Sequence, residues 1–241
     1  PPPELGYHEK RKSSRILESI SEGGYIARPC PPHAWSSRAL PIRSLDALLA
    51  STELRGKRVF VRADLNVPLS GGQISDDSRI RASLPTLARL LAAGARVVLA
   101  SHLGRPKDAP DPKLSLAPVA RALALALKVP VELATDCVGP EVTAAVERLR
   151  NGEVLLLENL RFHREETKNE PGFAKALASL ADVYVNDAFG TAHRAHASTA
   201  GMVAHVPIVA AGTLLAEELA ALSTALAPER PFVCFLGGAK V

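Results

Sequence analysis

From Ser44 onward, short continuous apolar runs alternate with stretches whose apolar residues return every three or four positions. The runs fall at 58–62, 96–101, 129–133, 153–157, 182–186, 206–210 and 231–236. Apolar runs of this length, without a polar alternation, are the mark of strands buried on both faces. Between them lie helical stripes: Leu45, Leu48 and Leu49; Ile80, Leu84, Leu87 and Leu91; Val119, Leu123 and Leu127; Val142, Val146 and Leu149; Phe173, Leu177 and Leu180. Leu215, Leu219, Leu222 and Leu226 mark one more. Ser44 and Ser115 are predicted helix caps, Gly94 a helix end, and Pro140 and Pro171 first-turn prolines. Pro130 consigns the third strand to a sheet edge. The alternation predicts an α/β fold, a three-layer αβα arrangement around a mostly parallel, doubly wound (Rossmann-like) sheet.

In a parallel sheet the loops that follow the strands gather on one rim. Here they carry Asp64 and Asn66, then His102 and Arg105, then Arg161, then Arg194, with Arg79 near the start of the helix after the first strand. The turns of the opposite rim, such as Asn151-Gly152, carry none. Four arginines and a histidine on one rim repel each other unless an anion sits among them. The planar guanidinium fork suits phosphate and carboxylate. Three or four cations fit a small ligand of about two to three negative charges. Asp64 repels such an anion, so its expected partner is a ligand hydroxyl, with Asn66 beside it.

Composition narrows the alternatives. The chain has 241 residues, 47% hydrophobic and only 4% aromatic. Residues 1–43 hold seven prolines and a net charge of +3, whereas 22 basic and 21 acidic residues follow. The folded part is therefore not a basic, aromatic nucleic-acid surface. It has no apolar run long enough for a transmembrane helix. Three distant cysteines fit no disulfide framework or zinc ribbon. Cys137 and Cys234 read as small core residues, and Glu165 and Glu166 as a solvated helix start. His193 and His196 have the spacing of a metal pair but no third ligand, so no metal site is expected. Residues 1–43 read either as a disordered extension or as the remnant of an organelle-targeting segment. Their four glutamates weigh against the latter.

Five motifs then carry a resemblance. They are Val59 to Pro68, Ser101-His-Leu-Gly-Arg-Pro106, Glu158-Asn-Leu-Arg-Phe162, Asp187-Ala-Phe-Gly-Thr-Ala-His-Arg-Ala-His196 and Gly237-Gly-Ala-Lys-Val241. In order and spacing they resemble the phosphoglycerate kinases, most of all plastid and cyanobacterial members. The resemblance implies a hinge-bending, two-domain, monomeric kinase of glycolysis, gluconeogenesis or the Calvin cycle, in cytosol or plastid stroma. Its N-terminal domain, here 44–228, binds 3-phosphoglycerate or 1,3-bisphosphoglycerate. Its C-terminal domain, beginning here at 229–241, binds Mg-ATP or Mg-ADP. His102, Arg105, Arg161 and Arg194 match the family's phosphate-binding residues, and Asp64, Asn66 and Arg79 those at the carboxylate and hydroxyl end. Lys240 matches a lysine that reaches the transferring phosphoryl group, and with Arg79 makes the expected catalytic pair. The last strand lacks its following helix, and the family's second conserved lysine and nucleotide domain are not in the sequence. A truncated chain, inactive alone, is therefore expected. The competing expectation is a non-catalytic anion-binding domain.

Overall fold

The structure, a computed structural model, describes residues 42–107, 109–226, 228 and 232–233. All belong to one unit, Ile42–Val241. The chain runs α1 (Leu45–Ser51), β1 (Arg58–Ala63), a hairpin of β2 (Leu69–Ser70) and β3 (Gln73–Ile74), α2 (Ser78–Ala92) and β4 (Arg96–Ala100). It continues through α3 (Ala117–Leu127), β5 (Val131–Leu133), α4 (Pro140–Arg148), β6 (Val154–Leu156), α5 (Arg164–Thr167), α6 (Pro171–Ser179) and β7 (Val183–Asp187). It then forms α7 (Phe189–Ala192), β8 (Ile208–Ala211) and α8 (Thr213–Leu226). Six strands make one sheet in the order β5-β6-β4-β1-β7-β8, every pair parallel. The expected α/β sandwich is the observed one.

Successive residues of each inner strand feed opposite cores. Val59, Val61, Val97, Leu99, Leu156 and Val185 pack with Leu48, Leu87, Leu90 and Leu123 on one side. Phe60, Val98, Leu155 and Tyr184 pack with Val142, Val146, Phe173 and Leu177 on the other. This double burial is why the strands read as unbroken apolar runs. β5, held by β6 alone, is the edge strand that Pro130 predicts. Ser44 caps α1 by accepting from the Ala47 N–H at 3.2 Å.

Several details differ from the sequence reading. The polar turn at 70–73 is a hairpin, because Gly71 and Gly72 both adopt positive φ (58° and 77°). Ser115 stands one residue before the cap position of α3, which Leu116 occupies; its Oγ still accepts from Ala117 N. The buried stripe of α2 is Ile80, Ser83, Thr86, Leu87 and Leu90, with Leu84 and Leu91 at its margins. Thr86 takes an inner position because its Oγ1 accepts the Thr213 N–H at 2.8 Å, at the start of α8. β8 lies two residues later than expected, and Asp187 ends β7 instead of opening a loop. Of the strand expected at 231–236 only Phe232 and Val233 are described, and Lys240 lies outside the described residues.

Candidate functional site

β1 is the switch point of the sheet: the chain leaves it to build β4 on one side and later returns to build β7 on the other. Crevices at the carboxyl ends of such strands are where open α/β sheets hold ligands. One open cavity of about 260 Å³ lies there. Its walls include Asp64 and Asn66 after β1, Arg79 on α2, His102 and Arg105 after β4, Arg161 after β6, and Arg194 after α7. Sequence reasoning missed three further lining residues, Gly104, Gly190 and Thr191.

The loops are pinned to each other by side chains that recognise backbone. Asn159 donates to the carbonyls of Leu103 (2.8 Å) and Leu114 (3.0 Å). Its Oδ1 accepts from Leu103 N and Arg161 N. One buried amide thus ties the His102 loop to the turn that presents Arg161. Arg161 Nη1 donates to Gly104 O at 3.0 Å, while its buried Nε has no partner among the described residues. Burial, then Arg194 and Arg62, push the Arg161 guanidinium down from its usual range, yet arginine stays cationic. Asn66 Oδ1 accepts from Gly104 N at 2.7 Å, which leaves the Asn66 NH₂ as its free donor. Asp64 accepts from Asn66 N and is ion-paired with Arg79.

The histidine departs from expectation. His102 is buried, and desolvation, followed by the charges of Arg62, Arg161 and Arg79, lowers its pKa to about 2. It is a neutral hydrogen-bonding group, not one of the cations of the rim. Counting four arginines against Asp64, the cavity carries a net charge of +3. Like charges brought together with a buried unsatisfied donor form a surface that an oxyanion completes.

Behind the cavity lies a buried polar layer. Arg62, fully enclosed in β1, donates through Nε to Ser198 Oγ at 2.9 Å and through Nη1 to the Ala63 carbonyl. Ser198 donates its hydroxyl to Glu166 Oε1 (2.6 Å) and its N–H to Oε2 (2.9 Å). Glu166 is therefore not part of a solvated helix start: it is buried because it answers Ser198. A charged residue inside an apolar run was the one sequence signal of this layer. Ser198 gave none. His196 is buried with Nδ1 3.7 Å from Glu166 Oε1, and burial lowers its pKa to about 4; His193 is exposed. Their spacing thus reflects one structural ring and one solvated ring.

A separate group, Asp136, Cys137 and His163, has potential ligand atoms within 4.8 Å of one another. Each is already engaged. His163 Nε2 meets Asp136 Oδ1 at 2.5 Å, and Cys137 Sγ donates to Glu158 O at 2.9 Å. Cys137 is the small core residue the sequence predicts, and burial raises its thiol pKa.

Known proteins share this chain's sequence and shape. The family model for phosphoglycerate kinase matches residues 49–241. A phosphoglycerate kinase of Moorella thermoacetica is 62% identical over 194 residues, covering 80% of this chain and 49% of its own length. A chloroplastic phosphoglycerate kinase of Chlamydomonas reinhardtii is 54% identical over 235 residues, covering 95% and 51%. The solved structure of the Pyrococcus horikoshii phosphoglycerate kinase superposes with a TM-score of 0.74 at 36% identity, over 83% of this chain and 50% of that one. That of Coxiella burnetii gives 0.69 at 40% identity, over 79% and 47%. This chain spans about half the length of these relatives. Matched by the family model over most of its length and superposable on solved phosphoglycerate kinases, the chain belongs to the phosphoglycerate kinase family.

Proposed function

We propose that this chain supplies the 3-phosphoglycerate site of a kinase that moves a phosphoryl group reversibly between ATP and the carboxylate of 3-phosphoglycerate. The observation that carries the reading is the cavity of net charge +3 at the switch point. A phosphate monoester plus a carboxylate brings about −2.5 to −3 at neutral pH. Arg105, Arg161, Arg194 and His102 are assigned the phosphate end. Asp64, Asn66 and Arg79 are assigned the hydroxyl and carboxylate end. A ligand hydroxyl donating to Asp64 competes with Arg79 for that carboxylate, and Arg79 is exposed enough to turn toward the incoming carboxylate.

The attacking carboxylate is ionised at neutral pH, so no general base is needed. Catalysis is positioning plus charge neutralisation. Arg79 holds the nucleophile and offsets charge at the transfer point. Mg-ATP or Mg-ADP is the second reactant, and Lys240 is assigned to the transferring phosphoryl group on the family resemblance. Residues 44–228 are the acceptor-substrate unit, and 229–241 open the nucleotide unit. A monomer is proposed, with no nucleic-acid partner. Among the described residues no helix is long and apolar enough to cross a membrane. The long match to the chloroplastic relative supports a plastid location, while the bacterial relative is at least as similar. Calorimetry tests the core of the reading. The chain should bind one 3-phosphoglycerate, and Arg161→Met should weaken binding by about tenfold or more. Equal affinity in that variant, or no binding at millimolar ligand, would sink the assignment.

A further inference from the structure

Arg62 is the bulkiest of the fully buried side chains, and its buried neighbours in the strand, Val59, Phe60, Val61 and Ala63, offer only hydrocarbon. A guanidinium in such a place needs partners for its donors. Nε and Nη1 are taken by Ser198 and the Ala63 carbonyl. Nη2 lies 3.2 Å from His102 Nδ1. A guanidinium has donors only, so His102 Nδ1 is the acceptor. A neutral imidazole that accepts at Nδ1 carries its proton on Nε2.

We propose that Arg62 is a positioning residue that fixes His102 as the Nε2–H tautomer, so that the ring enters the anion pocket as a neutral donor. The proposal deepens the reading of the pocket as a phosphate site and rests on it. The other tautomer would turn a nitrogen lone pair toward an anion oxygen and repel it. Arg62 cannot swing away, because Ser198 holds its other side and is itself held by Glu166. Burial acts most on His102, followed by Arg62 on β1, Arg161 after β6, Arg79 on α2 and His196 in the 193–198 segment, and together they keep the ring uncharged. Arg105, Arg194 and the Asp64 carboxylate line the same cavity, whose net charge of +3 also disfavours a protonated ring. The donor role therefore persists through the physiological pH range.

Nitrogen-15 spectra of the histidine rings in the ligand-free chain test this directly. His102 should show a bare Nδ1 and a protonated Nε2, unchanged between about pH 5 and 8. An Nδ1–H tautomer, or a titration within that range, overturns the proposal. This measurement needs no ligand, so it is independent of the pocket's identity. A second arm uses Arg62→Met combined with Glu166→Gln, which removes both buried charges together and leaves neither stranded. In that variant His102 should titrate within the range. Binding of inorganic phosphate and of 3-phosphoglycerate should fall about tenfold at pH 8 and partly recover near pH 5.5. A folded double variant with unchanged ring shifts and a flat affinity profile refutes the role of Arg62. If the variant does not fold, the wild-type spectrum decides. If the wild-type chain shows the tautomer but binds neither probe, the phosphate reading fails and the tautomer assignment stands.

Discussion

Gly190→Ala separates stability from recognition at this site. Gly190 lies in α7 without positive φ, so alanine fits the backbone and is favoured intrinsically by about 1 kcal/mol over glycine in a helix. The new methyl, however, would sit 2.9 Å from Asp64 Oδ2. Ordinary carbon–oxygen contact requires the carboxylate to retreat by about half an ångström. Asp64 is the end of a short side chain and can move, so the fold should tolerate the change. Its pairing with Arg79 and its aim into the cavity should not. Urea unfolding should show stability within about 1 kcal/mol of the parent. Calorimetry should show 3-phosphoglycerate binding weakened about five- to thirtyfold, the equivalent of about 1–2 kcal/mol. Parental affinity in a variant of parental stability would refute the placement of Asp64 against the ligand. A large loss of stability would refute the claim that the carboxylate can yield.

Asn159→Ala removes four hydrogen bonds that join two loops, and should cost about 2–4 kcal/mol in urea unfolding while also weakening anion binding. Unchanged stability would deny its role as a tie. In the full-length enzyme Arg79→Ala should reduce kcat more than it raises KM in steady-state assays, since its charge matters most at the transfer point; near-normal kcat would count against it. Stability should fall as pH drops below about 6.5, where unfolded histidine takes up protons that buried His102 and His196, with pKa near 2 and 4, refuse. The slope is at most about 1.4 kcal/mol per pH unit for each ring. Asp187, whose carboxyl burial pushes upward, acts in the opposite sense and offsets part of this loss at lower pH. Urea midpoints at pH 7 and 5 measure the sum, and a higher midpoint at pH 5 would contradict it.

The sheet was legible because each inner strand is buried on both faces, which writes unbroken apolar runs into the sequence. The seven rim residues were legible because a parallel sheet gathers its post-strand loops on one rim, and these residues recur in those loops or, for Arg79, at the start of the following helix. What stayed hidden depended on pairing across the chain. Glu166 looks like any acidic helix start until Ser198, 32 residues later, is placed against it. His102 looks cationic until it is seen buried with Arg62 behind it, for burial and then neighbours on other elements keep it uncharged. Gly190 and Thr191 carry no signal by type, and matter only because α7 brings them beside Asp64. The Gly71-Gly72 hairpin was readable in principle, since two successive glycines suit a turn with both φ angles positive.

The order of the strands has a consequence for the chain as it leaves the ribosome. β1 is made early, but Arg58 finds Arg96 on one side long before Val59 can find Val183 on the other. Until β7 emerges, a central strand with an apolar middle, Val59 to Val61, waits with one open edge, the kind of edge that captures other chains. The last cation of the cavity, Arg194, appears only after β7 is complete. Synthesis that stalls before that point leaves both an aggregation-prone edge and an unfinished pocket. Anion binding by a nascent chain would therefore report that the sheet has closed on both sides of β1.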